Sequence, residues 1–248
     1  MSTATEVRAA LYSGDLFLEY LPVVSLADKR CIGGEALIRW RRGSRIIPPL
    51  DFIPRIENTS VAGLVTYWVI DTVAHELAAW LRTHDGIYIA INVPPEVFGR
   101  GGLEYAAAKS HVLDLASKFV LEITERGVPD KLGVAELNSR PRRGVLIALD
   151  DVCASDTSLL VASQVHVDML KIEKSCVDRM TQGDLSLTEL STLSSLIHAA
   201  EVTVIAEGVE RAEQVERLRS LGIGAAQGWL FSHPLSAAEF MAYFSMHR

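Results

Sequence analysis

The chain alternates between short apolar runs and longer stretches with helical periodicity, and this alternation constrains its fold more than any other feature. The runs are rich in β-branched residues, and each has the length of a buried strand. Helices that lie between buried strands predict a parallel sheet with crossover connections. The predicted strands are Phe17–Val24, Cys31–Trp40, Ile87–Asn92, Phe119–Thr124, Val145–Asp150, Val167–Ile172, Val202–Glu207 and Gly224–Gly228, and the helical stretches include Val61–Leu81, Leu185–Ala200 and Ala212–Leu221.

About eight such units in 248 residues match the size of an α/β fold of the TIM-like (β/α)8 barrel type. A doubly wound open sheet is the structural alternative. The two segments richest in turn residues, Arg41–Pro49 and Phe98–Gly102, are short enough to be loops, and no repeat or low-complexity segment divides the chain. We therefore expect one domain over residues 1–248, with the barrel over about residues 15–245.

Charge and apolar content argue against several classes of function. The formal net charge of −7 is unfavourable for a surface that binds a nucleic acid polymer. The longest apolar stretch, Val61–Ile70, is broken by Asp71 and is too short for membrane insertion. Three cysteines without zinc or disulfide spacing fit a reducing compartment, and the first residues lack the pattern of a signal peptide. These features predict a cytoplasmic protein.

Polar or charged side chains stand at the ends of most of the predicted strands. In a barrel of parallel strands, the carboxyl-terminal strand ends meet on one face, where active sites are built. Buried charges are unfavourable unless they are paired or bind a metal ion. Side chains that are far apart in the sequence are therefore expected to meet in one site. The expected set is Glu35, Asn92, Glu122, Asp150, Asp151 and Glu207, with Lys171 and Gln227 nearby.

The predicted ligand set contains only oxygen donors, which suit Mg²⁺ or Mn²⁺ better than zinc. Its five carboxylates would repel each other unless cations separate them, and two ions that share a bridging aspartate would relieve this repulsion. Two-metal sites favour in-line displacement at phosphorus, so the pattern predicts phosphoester hydrolysis. Ordinary structural explanations exist for each residue: Asp150-Asp151 can cap a helix, Lys171 can extend to solvent, and Gln227-Gly228 can form a turn.

The order of these motifs resembles that of the EAL-domain family, which comprises cyclic di-GMP phosphodiesterases and their degenerate relatives. The resemblance extends from about Phe17 to Pro234, and it rests on the whole ordered set because the tripeptide Glu-Ala-Leu alone arises by chance. The matching segments are Glu35-Ala36-Leu37 with Arg39, Asn92, Glu122-Ile123-Thr124-Glu125, Asp150-Asp151, Lys171-Ile172-Glu173, Glu207-Gly208-Val209-Glu210 and Gln227-Gly228, supported by Pro22, residues 47–54 with Glu57, and residues 231–234.

The resemblance implies a barrel whose first strand runs antiparallel to the others. It also implies a site with two ions, Mg²⁺ or Mn²⁺, and hydrolysis of cyclic di-GMP to the linear dinucleotide pGpG. The residues that resemble the family's metal ligands are Glu35, Asn92, Glu122 and Asp150 for one ion, with Asp150 bridging to a second ion beside Asp151 and Glu207.

The same resemblance implies catalytic and substrate-binding roles for other residues. Lys171 resembles the lysine that orients or deprotonates the attacking water, and its ammonium would stabilise charge near the phosphate. Glu207 is a second candidate for proton transfer, and Gln227 would support the catalytic water. Glu125 would anchor the loop that couples metal binding to substrate affinity. The implied substrate-binding residues are Arg39, whose guanidinium suits a phosphate, Pro49 and Glu210.

The chain departs from the family pattern at three places. The loop after the paired aspartates usually reads D-F-G-T-G, then an aromatic residue and S-S-L, but residues 152–159 lack both glycines and the aromatic residue. Leu21 stands where a glutamine usually precedes Pro22, and Glu173 replaces an aspartate. A hydrogen bond lost at Leu21 would cost about 0.5–1.5 kcal/mol, which corresponds to at most about tenfold in affinity.

These departures leave two functions open, besides an unrelated metal-dependent phosphoesterase on a barrel. The first is an active cyclic di-GMP phosphodiesterase, which the complete carboxylate and lysine set favours. The second is a catalytically weak or inactive domain that acts as a cyclic di-GMP receptor or a protein-interaction module, which the altered loop favours. Family members often pair through this loop and the adjoining helix, so a homodimer is also expected.

Overall fold

A computed structural model describes residues 3–124, 129–139, 144–153, 165–198 and 202–248. The strands of these residues form a single sheet, and eight of them close into a barrel. They are β1 (Leu16–Ser25), β2 (Cys31–Arg42), β3 (Arg45–Ile47), β4 (Tyr88–Asn92), β5 (Phe119–Thr124), β6 (Leu146–Val152), β7 (Met169–Ile172), β8 (Thr203–Ala206) and β9 (Ala225–Ala226).

The barrel closes through its first strand. Strands β2 and β4 to β9 run parallel, and each pairs with its neighbour in chain order. Strand β1 pairs antiparallel with β2 on one side and with β9 on the other. This arrangement confirms the predicted TIM-like barrel and its antiparallel first strand, and it excludes the open sheet.

Helices pack against the outward-facing side chains of the strands. In the longest helix, a buried stripe at a spacing of four residues, from Val61 to Leu77, faces the core, and the Thr59 side chain caps the helix by accepting from Val61 N. None of the helices formed by the described residues is both long and apolar enough to cross a membrane. The helices are α1 (Thr3–Ser13), α2 (Ser60–Leu81), α3 (Gly102–Lys109), α4 (Lys131–Asn138), α5 (Lys174–Gln182), α6 (Leu187–His198), α7 (Ala212–Ser220) and α8 (Ala237–Met246), and short 3-10 helices lie at Pro49–Asp51, Ile53–Arg55, Pro95–Val97 and Leu113–Lys118.

The inside of the barrel contains its own apolar layer, because alternate residues of each strand point inward. Tyr88 enters this space from β4 and lies over Gly33 of β2, where an added Cβ atom would come within 2.5 Å of the tyrosine ring. Glycine at position 33 therefore makes room for a large side chain in the barrel centre. The buried residues of the apolar layer are Val23, Ala90, Val120, Ala148, Met169, Ile205 and Ala225.

The structure corrects the expectation that Arg41–Pro49 is a loop. Strand β2 continues to Arg42, the chain turns through Gly43 at φ 61°, and Arg45–Ile47 returns as β3, with Arg42 paired to Arg45. This hairpin projects beyond the barrel and is mostly exposed, so its residues lack the alternation of a half-buried strand. Helix α1 is also absent from the predicted elements, because it buries only Val7 and Ala10.

Candidate active site

The two aspartates of β6 both reach the site because the strand is irregular there. On a regular strand, consecutive side chains point to opposite faces. Here the register of β6 against β7 shifts between Leu149 and Val152, and Asp151 adopts a left-handed backbone with φ 54°. Aspartate tolerates this conformation better than most residues. As a result, oxygen atoms of Asp150, Asp151 and Glu207 all lie within 4.8 Å of one another and form a candidate metal-binding group.

Lys171 lies at the centre of the site, and its side chain is only 1% exposed. Strand β7 points it inward, to the level at which neighbouring strands present their acidic residues. We call Lys171 and its four carboxylate partners the charged layer. The Lys171 Nζ atom lies 3.0 Å from Glu35 Oε2 and 2.9 Å from each of Glu122 Oε1, Asp150 Oδ1 and Glu207 Oε1.

One ammonium group cannot satisfy four carboxylates, because it has three hydrogens to donate. Asp150 Oδ1 is close to Nζ but accepts no hydrogen bond of good geometry among the described residues. Two further buried oxygens, Glu122 Oε2 and Gln227 Oε1, also accept no hydrogen bond from the described part of the chain. Buried oxygens without donors, next to excess negative charge, fit divalent cations such as Mg²⁺ or Mn²⁺.

Two side-chain amides hold the carboxylates in place. Gln227 Nε2 donates to Glu35 Oε2 at 2.7 Å and to Glu207 Oε1 at 2.9 Å. Asn92 Nδ2 donates to Glu35 Oε1 at 3.0 Å. Glu35 is therefore held through both of its oxygens, and Gln227 links it to Glu207 across the barrel mouth.

Burial and charge separate the protonation states of these groups. Burial raises the pKa of Glu122 well above its usual range, and the negative charge of Glu35 adds to the effect. Burial likewise raises the pKa of Glu207 to about 8. Burial also opposes ionisation of Glu35, but the Lys171 ammonium and hydrogen bonds from two amides outweigh it, so this pKa is lowered. Burial disfavours the charged form of Lys171, yet the surrounding carboxylates hold its pKa well above the usual range. Bound cations would favour ionised carboxylates here.

The residues predicted to bind substrate lie around the rim of this cluster. Arg39 forms an ion pair with Glu19, with 2.7 Å between Nε and Oε2. Pro49 lines a groove of about 210 Å³ that also contacts Asn92 and Asp151. Glu210 lies after β8 and forms an ion pair with Lys174 at 3.2 Å. Pro49 therefore lies near the acidic side chains, whereas Arg39 is paired with Glu19 and Glu210 with a lysine of α5.

Some of the predicted site lies outside the described residues. Glu125 is one such residue, and the altered loop is described only for Val152 and Cys153. Conversely, the predicted set omits Glu19, which contacts Arg39. A charged residue inside the apolar run Phe17–Val24 is the signal that points to it, since such a charge needs a partner.

The family of the chain follows from a match over most of its length. The sequence profile of the EAL domain matches residues 4–234. The chain belongs to the EAL family. The geometry agrees with this assignment, because the polar residues that define the EAL motifs converge at one end of the barrel.

Two curated EAL relatives carry names that describe an activity. The chain is 32% identical over 246 residues to the probable cyclic di-GMP phosphodiesterase PdeB of Escherichia coli strain K12, covering 97% of this chain and 47% of PdeB. It is 30% identical over 246 residues to the bifunctional diguanylate cyclase/cyclic di-GMP phosphodiesterase MucR of Pseudomonas aeruginosa, covering 96% of this chain and 36% of MucR. The chain therefore spans less than half the length of these relatives.

A solved EAL structure has the same fold with a ligand bound. The complex of the PaMucR phosphodiesterase with c-di-GMP superposes with a TM-score of 0.83 at 28% identity, covering 96% of this chain and 99% of that chain. The barrel and its closure by an antiparallel strand are thus shared with a protein that binds the cyclic dinucleotide.

Proposed function

We propose that this EAL chain is a metal-dependent phosphodiesterase that hydrolyses cyclic di-GMP to linear pGpG. The observation that carries the proposal is the charged layer, in which four acidic side chains surround one buried lysine. Such a cluster is unfavourable for stability unless cations neutralise it. Its presence therefore supports a catalytic role over a role in folding.

The donor set fits two Mg²⁺ or Mn²⁺ ions. When bound, these ions would help to generate hydroxide from water and would neutralise charge at the phosphate. The residues that would hold them are Glu35, Asn92, Glu122 and Asp150 for one ion, and Asp150, Asp151 and Glu207 for the other.

The protein's own side chains would position the water and the substrate. Lys171 would place a positive charge beside the reacting phosphate, where an ammonium stabilises developing negative charge. Glu207 would be the second candidate for proton transfer, because a bound cation favours its ionised carboxylate, which can accept a proton. Gln227 would hold the catalytic water together with the carboxylates that it already contacts. Glu125 is proposed to anchor the loop after Asp151.

Substrate contacts are proposed at the rim of the barrel mouth. Arg39 would bind a phosphate of cyclic di-GMP, Pro49 would pack against the dinucleotide in the groove, and Glu210 would contact it after leaving Lys174. We further propose that residues 1–248 act as one EAL-type domain in the cytoplasm, as a homodimer.

A second function, binding without catalysis, is favoured by one specific feature. Leu21 pairs with Glu35 across β1 and β2, so an apolar side chain lies beside a central carboxylate where the family has a glutamine. Together with the altered loop after Asp151, this change favours a receptor that binds cyclic di-GMP and releases it unchanged.

The test is product formation by the purified chain with cyclic di-GMP and Mn²⁺, followed by chromatography of pGpG. Glu35→Gln keeps the size of the side chain but removes its charge, and it is expected to lower the rate by about two orders of magnitude or more. The matched control is Glu216→Gln, because Glu216 is 80% exposed and distant in the fold. If the folded protein binds cyclic di-GMP but forms no pGpG, the receptor function is supported in place of the phosphodiesterase function.

A further inference from the structure

Glu19 and Arg39 form a partly desolvated ion pair at the rim of the site. Arg39 Nε lies 2.7 Å from Glu19 Oε2, and Arg39 Nη1 donates to the carbonyl oxygen of Ile38 at 3.1 Å. The arginine side chain is 14% exposed and the glutamate side chain 29%. Two nitrogens of the guanidinium are thus already hydrogen-bonded within the protein, and one of these bonds is to a carboxylate.

Strand register places Glu19 on the same side of the barrel wall as the site. In the antiparallel pair of β1 and β2, Leu21 lies opposite Glu35, and Glu19 lies opposite Leu37. Paired residues share a face, and alternate residues on one strand share it too. Glu19 therefore lies on the inward face of β1, two residues before Leu21. Arg39 is the diagonal neighbour of Glu19 on β2, two residues after Leu37.

The charge balance of the site makes this pair important for an anionic ligand. Lys171 is enclosed by four carboxylates, and Arg39 is neutralised by Glu19. With every group ionised, the set has six carboxylates and two cations, a formal charge of −4 that two divalent ions would cancel. The six carboxylates are Glu19, Glu35, Glu122, Asp150, Asp151 and Glu207.

We propose that Glu19 neutralises Arg39 in the ligand-free site, so that capture of the anionic dinucleotide depends on divalent cations already bound. The inference rests on the proposed function, since it takes cyclic di-GMP as the ligand. Without cations, the phosphates meet a site in which both of these positive groups are already paired. With cations, the attraction comes from the metal ions, and Glu19 matters less.

The test is the affinity of the folded chain for fluorescently labelled cyclic di-GMP in a chelator at low ionic strength. Glu19→Gln keeps a hydrogen-bond acceptor for Arg39 Nε but removes the competing charge. It is expected to tighten metal-free binding by about three- to tenfold, the effect of one nearby charge in a partly exposed site. The double variant Glu19→Gln with Arg39→Ala is expected to lose this increase in affinity, because the increase comes from the guanidinium that Glu19→Gln frees.

A matched control is the ion pair of Glu6 in α1 with Arg42 in β2, in which Nη2 and Oε1 lie 2.8 Å apart. Arg42 is three residues after Arg39, so its side chain points to the opposite face of the strand, and Glu6→Gln removes one charge from a similar pair on the outer face. It is expected to leave the metal-free affinity unchanged. The proposal is contradicted if Glu19→Gln does not bind cyclic di-GMP more tightly than the unmodified chain in the absence of metal. Undetectable binding by both proteins counts as the same result.

Steady-state kinetics with Mn²⁺ separate this inference from the proposed function. Glu19→Gln is expected to change KM by a smaller factor than it changes the metal-free dissociation constant. If the unmodified chain forms no pGpG, the phosphodiesterase proposal is rejected, and the result on metal-free binding still stands. If the gain in affinity persists in the variant that lacks Arg39, the proposed role of Glu19 is rejected, and the phosphodiesterase proposal still stands.

Discussion

The inside of the barrel has an apolar layer and a charged layer, although both are built by the same strands. In the apolar layer, mostly small and medium apolar side chains fill the barrel around Tyr88, and the tyrosine hydroxyl is the polar group that they bury. Two residues further along the chain from six of these residues, the side chains are acidic, basic or amide. The successive pairs are Ala90 and Asn92, Val120 and Glu122, Ala148 and Asp150, Met169 and Lys171, Ile205 and Glu207, and Ala225 and Gln227.

The apolar layer stabilises the barrel, whereas the charged layer forms its candidate active site. Burial of the apolar layer contributes to folding in every condition, because it depends on water and not on a ligand. The charged layer has an excess of negative charge around Lys171, so its contribution depends on cations and pH. Changes in the two layers should therefore respond differently to metal.

The largest effect is expected for Lys171→Met in the charged layer. Removing the ammonium leaves four buried carboxylates without their common partner, so the metal-free free energy of unfolding should fall by about 3–5 kcal/mol. Denaturant unfolding in a chelator and with Mn²⁺ checks this, and Mn²⁺ should recover part of the loss. Activity with Mn²⁺ should fall by about 100-fold or more. The control Lys109→Met removes an exposed lysine of α3 and should do neither.

A comparable loss of stability without dependence on metal is expected for Ile205→Ala in the apolar layer. Truncation of a buried isoleucine leaves a cavity and should lower the free energy of unfolding by about 2–5 kcal/mol. Unfolding measured with and without Mn²⁺ should give the same loss, and the affinity of the folded protein for Mn²⁺ should not change. A loss that Mn²⁺ abolishes would contradict the separation of the layers.

A smaller effect is expected from pH in the metal-free protein. The pKa of Glu207 rises from 4.5 to about 8 on folding, so between these values the folded protein holds a proton that the unfolded chain has released. Stability must then decrease as pH rises through this range. Thermal unfolding from pH 4.5 to about 8 should show this decrease, and Glu207→Gln should reduce it. Stability that increases with pH in the unmodified protein but not in this variant would contradict the assignment.

The smallest effect concerns the backbone at Asp151. Glycine adopts a left-handed conformation freely, whereas alanine is strained there by about 1–2 kcal/mol. Asp151→Gly and Asp151→Ala both remove the carboxylate, so the difference between their unfolding free energies isolates the backbone at φ 54°. Glycine should be the more stable of the two by about 1 kcal/mol. Equal stability would show that the irregularity of β6 does not need this conformation.

The sequence predicts the charged layer well because a barrel has a simple rule. The carboxyl-terminal ends of parallel strands meet on one face of a barrel. The alternation of inward- and outward-facing side chains along these strands is therefore enough to bring Glu35, Glu122 and Glu207 together. The apolar runs and the spacing of the helices predict the barrel for the same reason. The antiparallel first strand comes from the family resemblance, since periodicity does not report strand direction.

The sequence does not predict features that depend on backbone detail or on pairing across strands. Adjacent aspartates on a strand should face opposite ways, and only the register shift of β6 brings Asp151 to the side of Asp150. The contact of Glu19 with Arg39 needs the register of β1 against β2. The β3 hairpin turns at Gly43, and its exposed residues leave no alternation to detect.

The most direct test of the central claim is to measure bound Mn²⁺ and pGpG in the same samples across a titration with Mn²⁺. The account predicts that product formation rises with the amount of bound metal, is absent in a chelator, and is lost together with metal binding in Glu35→Gln. Product formed without bound metal, or a fully loaded site that leaves cyclic di-GMP intact, would contradict the account.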